Sequence, residues 1–210
     1  LHRRRHSFPT RRSSDLIKSL INNTCINPTI ESFNSLKEKS KGLNIYLLEK
    51  RKSDYLKILD QLTFDSEDME LVLKSTNLTN SEKLKILNNC SEETITTNNN
   101  LKLLSSILLI DDSFVVSESI LNSILVNIQV PVIERIRLFI KRSNKYDLSF
   151  IESFLTNLGG NYAWITDTSS KARIPKNHDN WQLLSVLSNK RYISSFSEKD
   201  SDYRINHKRK

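Results

Sequence analysis

The C-terminal stretch Asn180–Lys210 reads NWQLLSVLSNKRYISSFSEKDSDYRINHKRK. Its first half predicts an amphipathic helix with Trp181, Leu183, Leu184 and Leu187 on one side. A Lys190-Arg191 pair then leads into two short strand-like runs, Tyr192–Phe196 and Tyr203–His207, separated by a charged turn. Helix, strand, turn and strand in that order outline a winged-helix end piece. The sequence upstream reads as short helices, so the stretch predicts a mainly α fold that closes in a small winged-helix-like α+β domain.

The charge of the chain is carried at its ends. The formal net charge is +8, with 32 Lys and Arg against 24 Asp and Glu. Arg3, Arg4, Arg5, Arg11 and Arg12 lie in residues 1–16, and Arg204, Lys208, Arg209 and Lys210 lie in the last seven; Asp15 is the single acid in either segment. Residues 17–203 therefore carry 23 residues of each sign. A protein gripping phosphates over a broad face would spread its basic residues along that face. The run His6–Leu16, HSFPTRRSSDL, resembles the translation of a sequencing adapter, and residues 1–16 are read as an adapter-like, disordered artefact outside the fold.

From Ile17 onward, helix starts can be read from their capping chemistry. Asn27-Pro28 opens a helix through Ile30, Phe33 and Leu36 that Gly42 ends. Leu43–Leu48 fits either helix or strand, and Lys52–Leu62 predicts one continuous helix. Asp65 or Ser66 caps the next, and Thr79-Asn80-Ser81-Glu82 has the form of a capping box. Ser91–Thr97 is a polar connection that can open a further helix, and Asn99–Ile110 is the most apolar segment. Ser117 caps a helix to Val126, Pro131 opens one reaching Lys145, and Asp147 caps Leu148–Leu158, which Gly159-Gly160 closes. Residues 17–146 thus form a helical region, either a HEAT-like repeat stack or an irregular bundle, and 147–210 form the end domain. In that domain Asn161–Thr166 is a strand candidate, Asp167–Asn177 a loop, and Asn177 or Asp179 the cap of the last helix. Tyr162, Trp164, Trp181, Tyr192, Phe196 and Tyr203 are its candidate core.

Several chemistries have no residues to support them. Gly42, Gly159 and Gly160 are the only glycines, so neither a Walker A loop nor a dinucleotide-binding loop can be written. Cys25 and Cys90 have no zinc-like spacing, and His178 and His207 have no companion ligands. The acidic clusters at Asp65–Glu70 and Glu92-Glu93 sit at helix starts, where negative charge suits the helix dipole. No catalytic residue, metal or cofactor is expected, and no apolar run has the length of a membrane span. Reduced thiols and the lack of a visible leader predict a cytoplasmic protein. If the end domain reads DNA, its contacts are Gln182, Ser185 and Asn189 on the last helix, with Lys190, Arg191, Arg204, Lys208, Arg209 and Lys210 beside them. With phosphate anchoring thin, the same residues are read first as a protein-contact surface.

The run DLSFIESFLTNLGGNYAWIT, the loop Lys-Ala-Arg-Ile-Pro-Lys at 171–176, LLSVLSNKRYISSFSEK and the closing RINHKRK resemble the extreme C-terminus of the YobI-type P-loop ATPases. LNIYLLEKR and STNLTNSEKLKIL are similar to the helical region before it. The resemblance implies a terminal piece of a much larger bacterial protein, with the ATPase chemistry in an N-terminal domain that has no counterpart here. The partner it implies is another protein, or the missing ATPase domain of the same chain. The expected role is a non-catalytic one in sensing or interaction, with a DNA-binding winged-helix regulator as the alternative.

Overall fold

A computed structural model describes residues 11–23, 26–159, 173–199 and 201–206. The chain divides into two compact units, one ending at Thr94 and one beginning at Ile95. The expected boundary near Ser143–Tyr146 lies inside the second. The strand candidate at 161–166, with Tyr162 and Trp164, lies outside the described residues, as do Cys25, His207, Lys208, Arg209 and Lys210.

The first unit is helical throughout its described elements: α1 (Arg11–Asn22), α2 (Ile30–Lys39), α3 (Leu43–Lys50), α4 (Lys52–Tyr55), α5 (Ser66–Lys74), α6 (Asn80–Leu87) and the short α7 (Glu92–Ile95), which runs to the division. Helix α1 begins at Arg11, inside the stretch read as disordered artefact. The expected helix Lys52–Leu62 breaks after one turn and resumes as a 3-10 turn at Leu59–Gln61. The ambiguous Leu43–Leu48 is helical, and burial explains the ambiguity: Leu43, Asn44, Ile45, Leu47 and Leu48 are all buried, which leaves little amphipathic period to read.

Phe33 is the centre of this unit's core, 5.9 Å from the Tyr55 ring and 5.5 Å from the Phe64 ring. The Tyr55 hydroxyl shares a 2.8 Å hydrogen bond with the Ser32 hydroxyl. A polar knot crosses the core: Asn44 Nδ2 donates to Asp68 at 2.8 Å, and Lys37 reaches Asp68 at 2.7 Å and Asp65 at 2.9 Å. Asp68 also closes the capping box of α5, so one buried carboxylate joins three helices.

The second unit holds α8 (Asn98–Ile110), α9 (Glu118–Val126), α10 (Val132–Lys141), a 3-10 turn (Ser143–Lys145), α11 (Leu148–Asn157), β1 (Arg173–Pro175), α12 (His178–Asn189), β2 (Ser195–Lys199) and β3 (Asp202–Asn206). Four rings stack through it: Phe154 on Phe139 at 4.3 Å, Phe139 on Tyr146 at 5.4 Å, and Tyr146 on Phe150 at 4.5 Å. The sheet is antiparallel in the order β1-β3-β2, with Ile174 opposite Tyr203 and Phe196 opposite Ile205. Strand β1 lies where a loop is expected. Pro175 can occupy it because β1 is an outer strand whose last residue need not donate to the ladder.

A sequence register links α5-α6 to α9-α10. Adding 52 to a residue number carries the N-caps Asp65 and Thr79 onto the N-caps Ser117 and Pro131, and carries the nine-residue helix α5 onto the nine-residue α9. Buried Leu62, Met69, Val72, Leu73, Leu78, Ile86 and Leu87 fall on buried Phe114, Leu121, Ile124, Leu125, Val130, Leu138 and Phe139. The connecting turns agree as well: Ser75 Oγ accepts from Asn77 N at 3.1 Å, and Asn127 Oδ1 accepts from Gln129 N at 2.8 Å. Lys83 donates to the Leu73 carbonyl at 2.9 Å, and at the same offset Arg135 reaches the Leu125 carbonyl at 3.4 Å. Both cations sit on the fourth residue of their helix and cover a carbonyl at the end of the helix before it. The helix pair therefore recurs once, at an offset of 52 residues.

Candidate functional site

Helix α12 is positioned by contacts at its two ends. Asn177 caps it, accepting from Asn180 N at 2.7 Å, and Asn180 Nδ2 donates to the Pro175 carbonyl at 2.9 Å. The buried stripe is Asn180, Leu183, Leu184 and Leu187. Trp181, expected on that stripe, is 47% exposed. Asn180 takes the inward position because its amide satisfies the carbonyl of Pro175, and Trp181 is turned about 100° away along the helix. The core between α12 and the sheet is mainly aliphatic, with Ile174, Leu183, Leu184, Leu187, Ile193 and Ile205 buried along with Tyr203, while Tyr192 and Phe196 are half-buried.

Two ties bind α12 to the middle of α10 and to the turn after it. Arg137 makes a bidentate pair with Asp179, at 3.0 and 3.1 Å. The paired carboxylate raises the Arg137 guanidinium above its ordinary range. At the other end Lys190 Nζ donates to the Tyr146 carbonyl at 3.1 Å and the Asn144 carbonyl at 3.5 Å.

Of the expected contact residues, Gln182 and Ser185 are half-buried and Asn189 is exposed on the outward face. Gln182 Nε2 lies 3.4 Å from His178 Nε2. Lys190 is engaged as described. Arg191 is exposed and has φ 59°, the left-handed conformation. It is the turning residue of a helix stop in which Tyr192 N bonds the Leu187 carbonyl at 2.9 Å and Arg191 N bonds the Ser188 carbonyl at 2.9 Å. Arg204 is half-buried on β3, and its Nε is buried without a partner. The outward stripe of α12 thus runs Trp181, Ser185, Ser188, with Gln182 and Asn189 beside it and no basic side chain among them. Sequence reasoning missed Trp181 as a surface residue. The buried Asn180, which fits the Leu183, Leu184, Leu187 spacing, is the signal that finds it.

Other chemistry in the described residues is sparse. No group of three or more His, Cys, Asp and Glu could hold a metal among them. Burial, then the Asp68 carboxylate, push the Cys90 thiol up to about 12, so it is protonated at neutral pH. No helix among the described residues is long and apolar enough to cross a membrane.

No family model matches the chain, and no solved structure matches it. The chain is similar to a protein of Bacillus subtilis (strain 168) named "Uncharacterized membrane protein YobI", 26% identical over 193 residues, 92% of this chain. It spans 16% of that relative's length. The expected likeness to a YobI-type protein far longer than this chain is met to that extent. The relative's name mentions no P-loop ATPase. It does overturn the expectation of a cytoplasmic protein, because the relative is called a membrane protein. That expectation rested on thiol usage and the lack of a leader, and neither reports on segments elsewhere in a longer chain.

Proposed function

We propose that this chain is a non-catalytic part of a longer, membrane-attached bacterial protein. Its winged-helix-like end domain meets another protein, or the remainder of its own chain. The carrying observation is the outward face of α12, where a half-exposed tryptophan lies among neutral polar side chains. Interfaces between proteins are enriched in tryptophan, whereas DNA-reading helices need cations to anchor phosphates. Lys190, at the end of α12, is occupied with backbone carbonyls. A P-loop ATPase domain upstream is part of the same proposal and rests on the sequence resemblance.

Fluorescence anisotropy with a labelled random duplex at low salt tests this reading. The expected result is no binding tighter than the ~10⁻⁴ M end of non-specific affinity. Micromolar, salt-dependent binding that disappears when residues 204–210 are removed would overturn it in favour of a DNA-binding regulator. Genomic sequence upstream of Ile17 tests the parent: an in-frame Walker A domain is expected, and its absence defeats the ATPase assignment.

A further inference from the structure

We draw no further inference here: the strongest candidate, the hollow of about 320 Å³ at the start of α3 lined by Lys18, Lys41 and Gly42, is a helix N-terminus flanked by exposed lysines, one of them paired with Glu67, and nothing else among the described residues points to a ligand there.

Discussion

The ammonium of Lys83 donates to the carbonyl of Leu73 at 2.9 Å, ten residues back along the chain, from a site where Lys83 is only 7% exposed. Among the described residues no carboxylate pairs with it. The charge is tolerated because it covers a carbonyl at the end of α5 that would otherwise have no donor. Lys83→Met removes the cation but strands that carbonyl. The expected result in urea denaturation is a loss of about 1–3 kcal/mol. Arg135→Met should cost more, since Arg135 also donates to the Asn157 carbonyl at 2.9 Å.

The same lysine gives a pH signature. Burial lowers the Lys83 pKa below its ordinary 10.5. Between the lowered native value and the unfolded one, the unfolded chain binds more protons, so this group makes stability rise with pH across that alkaline window. Subtracting the Lys83→Met curve from the parent curve isolates the effect. A difference that is flat, or that falls with rising pH in that window, would show that Lys83 is not buried as described.

At the acid end, Asp65 behaves in the opposite sense. Burial alone would raise its pKa, but the N–H groups of Asp68 and Glu67 and the Lys37 ammonium hold it below 3.8. Its contribution is complete above the unfolded value and is lost as pH falls through the native one. Asp65→Ala should cost about 1–2 kcal/mol at neutral pH as a lost N-cap, with the deficit shrinking below pH ~4. Ser117→Ala, at the equivalent cap of α9, should cost about 0.5–2 kcal/mol with no acid dependence.

Gly42 and Arg191 both have left-handed backbone, with opposite expectations. Gly42 has φ 81°, and a Cβ there would stand 3.1 Å from the Leu71 side chain, so Gly42→Ala should destabilise by about 1–2 kcal/mol. Arg191 adopts φ 59° at the end of α12 without being glycine. Arg191→Gly relieves that strain and should raise stability by up to ~1 kcal/mol, read as a higher Tm.

Capping chemistry was the part of the fold most readable in advance. Asp65, Thr79, Ser117, Asp147 and Asn177 all cap the helices expected of them, because an N-cap is a contact within a few residues. Strand β1 was hidden, since three residues ending in Pro175 carry no alternation and gain their identity from pairing with β3. The 52-residue register was present in the cap positions 65, 79, 117 and 131. The uneven stretches between masked it, and Leu73/Leu125 and Glu82/Glu134 are among the few identities that survive. The cation-to-carbonyl ties were not legible, because Lys83 and Arg135 look like surface charges until the preceding helix end is placed beneath them. In the candidate site, the outward turn of Trp181 follows from Asn180 taking the inward position, which its bond to the Pro175 carbonyl fixes only once β1 is placed beside α12.

The two ties on α12, Asp179 to Arg137 and Lys190 to the carbonyl of Tyr146, leave the helix fastened like a beam on two supports. A pull applied through β2, which packs on α12, is then shared by both anchor points, one on α10 and one just past the turn that follows it. A helix held at one end only would swing about that end. Whatever the hairpin touches, its displacement is transmitted, so amide exchange in α10 and α12 should slow or quicken together.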